Sequence, residues 1–270
     1  MSRGRLVQLA LVGAAAGLFS GLFGVGGGVV IVPLLVLWLL FDERTATGTS
    51  LLAIAVVAAV GAAVQEVAYG NVLFWDGVLV GLPAIAGVLF GVWLQHRIPA
   101  AIVRILFAIL LVGTAILLVA GNGWEPAGGS GGGLGYYLAA AAIGLAAGVL
   151  SGLLGVGGGA FFVPALILVL GHEQVDAEAT SLLAIIPVSL VGAWRQHRYG
   201  NLDHRAGLVI GAAAIPFAVL GVVVVNSVPG RAVEIAFALL LLYVAWQMGR
   251  GGLAELREAR EPAGDPPGTS

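Results

Sequence analysis

The sequence predicts an all-α, polytopic integral membrane protein made of two homologous helical repeats, and three observations carry that prediction. The first is composition: the 270 residues are 60% hydrophobic and 10% charged, with a mean hydropathy of +1.05. A soluble domain carries roughly 25% charged residues, so this chain lacks the polar side chains to cover a globular surface and must be solvated by lipid. The second is an internal repeat: residues 17–28 (GLFSGLFGVGGG) return at 148–159 (GVLSGLLGVGGG) with nine of twelve positions identical. The third is the glycine run inside each copy, Gly24 to Gly28 and Gly155 to Gly159, each followed five residues later by a proline, Pro33 or Pro164.

The repeat extends well beyond the glycines. Thr49-Ser50-Leu51-Leu52-Ala53-Ile54 recurs unchanged as Thr180 to Ile185, at the same spacing of 131 residues. Tyr69-Gly70-Asn71 recurs as Tyr199-Gly200-Asn201, and Gly81, Gly91 and Pro99 recur as Gly211, Gly221 and Pro229. Ungapped motifs in register are the mark of a duplicated unit.

Each half resolves into five apolar stretches. They run over 6–23, 29–41, 47–65, 72–95 and 102–121, then over 134–154, 160–171, 179–194, 206–226 and 231–249. Arg3 and Arg5 before the first stretch, with Ala14-Ala15-Ala16 within it, imitate a signal peptide. Its repeat counterpart starts inside the chain near Leu134, so the first stretch reads as a retained helix. The second stretch of each half, at 13 and 12 residues, falls short of the ~20 that a span needs. Pro83, Pro187 and Pro216 lie inside spans and mark kinks or local unwinding. The domain reading is therefore a membrane repeat at 1–121, a Gly-rich linker at 122–133, a second membrane repeat at 134–249, and a disordered cytoplasmic tail at 250–270.

Two topologies fit these stretches. If each glycine run lies in one bent span, there are four spans per half and the halves are parallel. If it separates two short passes, there are five per half and the second half is inverted. Short cytoplasmic loops collect Arg and Lys, and all twelve basic residues here are Arg. Five per half puts eleven of the twelve on the cytoplasmic side, with Arg231 alone outside; four per half also moves Arg44, Arg97 and Arg104 out. The inverted arrangement is preferred. The acidic loop around Glu173, Asp176 and Glu178 falls outside in both.

The glycine runs are the strongest candidate site. Consecutive glycines disfavour a helix interior by about 1 kcal/mol each, so one helix should stop near Phe23 and another start near Gly28 within the membrane. The N–H groups at such a start attract anions, and repeated helix breaks mark the central site of many transporters. Close packing is the competing explanation; it suits Gly17 and Gly21, but not three glycines in succession followed by proline. No Lys-Ser/Thr follows the run, which excludes a nucleotide loop. The candidate substrate-binding residues are Gly26, Gly27, Gly28 and Pro33 with Thr49 and Ser50, and Gly157, Gly158, Gly159 and Pro164 with Thr180 and Ser181. The four hydroxyls suit substrate oxygens, helix caps or interhelical hydrogen bonds equally.

Other features have structural explanations. Tyr-Gly-Asn reads as a tight turn, and Gln65 and Gln196 correspond one turn before it. Arg195, His197, Arg198, His204 and Arg205 cluster where positive residues hold a loop in the cytoplasm, although an anion funnel is the sharper reading. Acids within the spans are nearly absent, with Glu66 and Glu234 near span ends, which argues against a cation pump and leaves the energy coupling unassigned. There are no cysteines, and His96, His172, His197 and His204 all lie at or near span ends without matched carboxylates, so no metal, cofactor or catalytic residue is expected.

The duplicated G-L-x-G-V-G-G-G with its proline, the A-T-S-L-L-A-I segment and Y-G-N together resemble the sulfite exporter TauE/SafE family of bacterial membrane proteins. The resemblance spans Leu6 to Gly249, and the first copy departs from it slightly, reading Thr47-Gly48-Thr49-Ser50 against Ala179-Thr180-Ser181. It implies a secondary transporter in the cytoplasmic membrane that moves small anions such as sulfite or organosulfonates. The partners expected are that anionic substrate and membrane lipid, not nucleic acid, and nothing in the sequence indicates a homo-oligomer. A passive anion channel and a membrane-embedded enzyme are the alternatives; the chain reads as a non-enzyme because no nucleophile or metal constellation stands out.

Overall fold

The computed structural model describes residues 3–120 and 133–258. Ten helices follow one another: α1 (Arg3–Phe23), α2 (Gly28–Leu37), α3 (Glu43–Tyr69), α4 (Phe74–Gln95), α5 (Ala100–Ala120), α6 (Leu134–Leu154), α7 (Gly159–Leu170), α8 (Gln174–Arg198), α9 (His204–Val225) and α10 (Gly230–Glu258). No strand occurs among the described residues. Seven helices, namely α1, α3, α4, α6, α8, α9 and α10, are long and apolar enough to cross a membrane. The protein is therefore a multi-pass membrane protein. The 10 residues of α2 and 12 of α7 span about 15 and 18 Å at 1.5 Å per residue, roughly half of a ~30 Å hydrocarbon core.

Several boundaries move from their expected places for identifiable reasons. α3 starts at Glu43 rather than 47 because Asp42 Oδ2 caps it, accepting from Arg44 N at 3.1 Å and Thr45 N at 3.4 Å. α2 stops at Leu37, short of 41, and the chain turns through Leu40 at φ 54°. The largest correction concerns the tail: residues 250–258 continue α10 instead of being disordered. They pack on α5, where a Cβ on Gly252 would come within 2.9 Å of Ala101 O. The predicted tail beyond them and the predicted linker, apart from Gly133, lie outside the described residues.

Small residues set the tightest contacts. Gly13, Gly17 and Gly21 of α1 lie directly on the backbone of Ile210, Ala214 and Ala218 of α9. Gly144, Gly148 and Gly152 of α6 lie on Val80, Ala84 and Val88 of α4 in the same way. Numbers rise together in both pairs, so α1 runs parallel to α9 and α6 parallel to α4. No side chain fits between them, which lets dispersion act at the closest approach two helices allow. α3 and α8 run antiparallel, with Gly48 against Gln196 and Gly61 against Leu182. The centre is filled by buried apolar side chains such as Ile31, Ile54, Phe162 and Ile185, while Leu11, Phe90, Leu138 and Leu220 point outward. Exposed leucine is unfavourable in water but not in lipid, so this surface fits a bilayer.

Candidate functional site

The two glycine breaks meet at the middle of the bundle. α1 ends at Phe23 and α2 restarts at Gly28, and the N-cap of α2 is Gly27 at φ 78° with no side-chain cap. α6 ends at Leu154 and α7 restarts at Gly159, with Gly158 at φ 86° in the same role. Left-handed backbone is strained for any residue with a Cβ, which explains glycine at both positions. A Cβ on Gly28 would lie 2.6 Å from Val156 Cα, and one on Gly26 or Gly157 would meet Ile54 Cγ2 at 2.8 or 2.9 Å. Each half-helix thus starts against the loop that precedes the other, with Ile54 of α3 and Ile185 of α8 packed over both.

The first turns of α2 and α7 carry N–H groups that intrahelical bonding cannot use. Their first closing bonds run from Val30 and Ile31 to Gly27 O, and from Phe161 and Phe162 to Gly158 O. Pro33, half-buried, and Pro164, buried, lack the N–H that would bond Val29 O and Ala160 O, which loosens each first turn further. Two helix N-termini of this kind contribute roughly +0.5 charge each where no water competes.

The predicted hydroxyl residues lie in the second turns of α3 and α8, so they are not the caps of those helices. Ser50 Oγ donates to Gly155 O at 2.7 Å and Ser181 Oγ to Gly24 O at 2.5 Å. Thr49 Oγ1 accepts from Asp203 N at 3.1 Å and Thr180 Oγ1 from Leu73 N at 3.0 Å. The serines tie each half to the other half's break, and the threonines tie α3 and α8 to the turns before α9 and α4. Those turns, at Tyr-Gly-Asn, place Gly70 at φ 69° and Gly200 at φ 78°, as a tight turn requires.

A cavity of about 410 Å³, lined on one side by Val32, Val36 and Leu37 of α2, leads from one end of the bundle to Leu153 and Leu154, just before the second break. Thr47, Gln95, Leu153 and Leu154 form its floor, and Asp42, Glu43, Arg44, Arg104 and Glu255 surround its mouth. Arg104 forms an ion pair with Glu43 and lies 3.6 Å from Glu255. Two arginines against three acids give the mouth no strong positive field, so attraction for an anion has to come from backbone N–H groups. On the floor, Gln95 Nε2 donates to Thr47 Oγ1 at 3.1 Å and to Leu153 O at 2.7 Å, and Gln196 Nε2 donates to Gln95 Oε1 at 2.6 Å. At the first break the network differs: Gln65 Oε1 accepts from Asn71 and Asn226, each at 3.1 Å.

Gln95 and Asn226 are functional-site residues that repeat arithmetic did not single out. Their signal is polarity at the end of an apolar helix, where a buried amide needs partners. Glu178 is a correction. The sequence suggests an acidic loop and no buried acid, whereas the residue sits in α8 and is fully buried against the first break.

The family model for "Sulfite exporter TauE/SafE" matches residues 1–133 and 140–269. The chain belongs to the TauE/SafE family. Among its relatives is the "Probable membrane transporter protein YdhB" of Bacillus subtilis (strain 168), 33% identical over 190 residues, covering 70% of this chain and 77% of the relative. A "Probable membrane transporter protein" of Haemophilus influenzae is 30% identical over 266 residues, covering 88% and 96%. The archaeal relative MJ0441 of Methanocaldococcus jannaschii, with the same description, is 26% identical over 225 residues, covering 80% of each chain. This TauE/SafE chain is thus a membrane transporter.

Proposed function

We propose that the protein is a secondary transporter of small anions, sulfite or organosulfonates first among them, in the bacterial cytoplasmic membrane. The observation that carries this reading is the meeting of two uncapped half-helix starts at the bundle centre, with a cavity that reaches Leu154, the residue before the second break. An anion at Gly26 to Gly28 or Gly157 to Gly159 meets N–H groups whose attraction is unscreened by water. Pro33 and Pro164 keep the first turns open, and Thr49, Ser50, Thr180 and Ser181 hold the two loops in register. Substrate specificity is read from the family's description and from the small, neutral-to-anionophilic character of the site.

In this reading the two repeats are inverted, with five passes in each. The parallel pairs α1/α9 and α4/α6 and the antiparallel pair α3/α8 support it. So does the gathering of Arg44, Arg97, Arg104, Arg195, Arg205 and Arg250 at one end of the bundle, which positive charge assigns to the cytoplasm. The cavity then opens inward, and alternating access exchanges it for an outward cavity at the first break. Purified protein in proteoliposomes, assayed with labelled sulfite and sulfoacetate, tests the proposal. Saturable flux with counterflow supports it, flux without saturation indicates a channel, and no flux above empty vesicles overturns it.

A further inference from the structure

Glu178 is a buried titratable group that the anion site leaves unused. It is fully buried, and its backbone is fastened to the first break: a Cβ on Gly24 would lie 2.5 Å from Glu178 Cα. Ser181 Oγ lies 2.5 Å from Gly24 O and 2.9 Å from Glu178 O, which share its one hydroxyl hydrogen. Any protonation-dependent movement of Glu178 therefore acts directly on the glycine loop.

The repeat sharpens the contrast. Position 178 corresponds to Thr47, whose Cα lies 2.5 Å from where a Cβ on Gly155 would sit. At the break reached by the cavity this place holds a neutral hydroxyl, hydrogen-bonded to Gln95. At the first break it holds a titratable acid. Packing alone does not require an acid there, and burying an ionised carboxylate costs several kcal/mol unless it is neutralised or well solvated by the protein.

The surrounding amides suit both protonation states. Gln174 Nε2 donates to Glu178 Oε1 at 2.5 Å, while Gln174 Oε1 is buried and has no donor among the described residues. A carboxylate accepts from the nitrogen; a neutral carboxyl has an O–H to give, and a half-turn of the Gln174 amide presents the oxygen to it. Gln65 Nε2 is a buried donor with no acceptor among the described residues. Gln65 is the counterpart of Gln196, whose Cβ abuts Gly48, and the equivalence sets it against Ala179, the residue after Glu178. Ionisable groups on the elements around Glu178 include Glu173 and Asp176 near it in sequence, His172 before α8, Asp76 on α4, Tyr136 on α6, Glu66 at the end of α3, and Arg231 and Glu234 at the start of α10; the α1–α2 loop brings only backbone and apolar side chains. Tyr136 Oη donates to Asp76 Oδ1 at 2.7 Å, and His172 Nε2 lies 3.3 Å from Asp76 Oδ2, so titratable groups line the same end of the bundle.

We propose that Glu178 is a proton-binding residue that couples anion movement to the proton gradient. The inference rests on the transporter reading above. One proton adds to the Glu178 carboxylate and leaves again at the other face; no other bond forms or breaks. Protonation changes the charge held against the Gly24 loop and so shifts the balance between the two cavities.

The test uses proteoliposomes loaded with a pH-sensitive dye and supplied with sulfoacetate, whose charge stays constant across a mildly acid to mildly alkaline gradient. Wild type should accumulate sulfoacetate when a pH gradient is imposed at clamped membrane potential, with dye-reported proton movement. Glu178→Gln should keep sulfoacetate counterflow but lose gradient-driven accumulation and proton movement by about tenfold or more, and Glu178→Asp should restore part of both. Gradient-driven accumulation by Glu178→Gln equal to wild type, or wild-type flux indifferent to the gradient, overturns the coupling while leaving the transporter reading intact. Absence of any sulfoacetate or sulfite flux in wild type would instead remove the transporter reading itself. Should Glu178→Gln fail to fold, infrared difference spectra of wild type on acidification decide: a carboxyl band that moves in Glu178→Asp supports the proposal, and no such band overturns it.

Discussion

Ser181 Oγ lies 2.5 Å from Gly24 O, so a side chain of the second repeat holds the helix break of the first. Ser50 returns the contact at Gly155 O, 2.7 Å away. Both serines and both carbonyls are buried, and neither break is held by its own repeat alone. The two halves therefore share one central structure, and stability and transport should respond together to its loss.

Ser181→Ala and Ser50→Ala each leave a buried carbonyl without its donor, which costs about 1–3 kcal/mol. Thermal unfolding in detergent should fall by about 2–4 °C per kcal/mol. Because the two loops pack on each other, the loss in the double variant should depart from the sum of the two single losses. A melting temperature unchanged in either single variant would show that water replaces the hydroxyl and that the tie is dispensable.

Bulky residues at the caps should separate folding from function. Gly27 at φ 78° and Gly158 at φ 86° hold backbone that costs a side-chain-bearing residue of order 1–3 kcal/mol. A Cβ at Gly27 would also meet Ala16 O at 2.7 Å. Gly27→Leu and Gly158→Leu should each abolish anion flux in proteoliposomes while the protein still inserts and purifies as a monodisperse species. Normal flux in both variants would show that these glycines serve packing only.

The floor of the cavity gives a binding prediction. Gln95→Leu removes the donor to Thr47 and Leu153 O and leaves Gln196 Nε2 without its acceptor. If the floor contacts the anion on its way to the second break, KM should rise about tenfold, the equivalent of 1.4 kcal/mol, with a smaller change in maximal rate. A purely structural role would lower the melting temperature and leave KM where it was. Gln95→Asn should restore part of the affinity if the amide itself is what the substrate meets.

Much of this was legible in the sequence because duplication doubles every signal. The ten apolar stretches, the two helix stops and the Tyr-Gly-Asn turns all follow from glycine, proline and hydropathy, which act locally. The partners of Thr49 and Ser50 were not legible, because a hydroxyl in an apolar helix bonds whichever backbone group lies opposite, and that depends on packing between repeats. Glu178 was misplaced for a related reason. Charge at a span end is normally solvated, and only the approach of the Gly24 loop buries it. Residues 250–258 read as tail because their composition is polar, although the contact with α5 extends the helix.

The ion cluster at the cavity mouth should matter little for stability. Arg104 pairs with Glu43 and Glu255, but the three side chains are 23%, 26% and 44% exposed, where a pair is worth about 0–1 kcal/mol. Arg104→Met should leave the melting temperature nearly unchanged. Its effect should appear in flux, which should fall at low salt and recover more steeply with ionic strength, because one arginine then faces three acids at the mouth. A fall in stability as large as that of Ser181→Ala would mean that the cluster clamps α10 to the bundle.

The inverted arrangement makes the sharpest prediction about orientation. The chain has no cysteine, so single cysteines report without background. Arg97 follows the end of α4 and Arg231 begins α10, at opposite ends of the bundle. In intact cells a membrane-impermeant thiol reagent should label Arg231→Cys and leave Arg97→Cys untouched, and inside-out vesicles should reverse the result. Insertion of the same bundle the other way round would label Arg97→Cys in intact cells and spare Arg231→Cys. That pattern would move the cavity mouth, with Arg44 and Arg104, to the outside and turn the resting state described above from inward-open to outward-open.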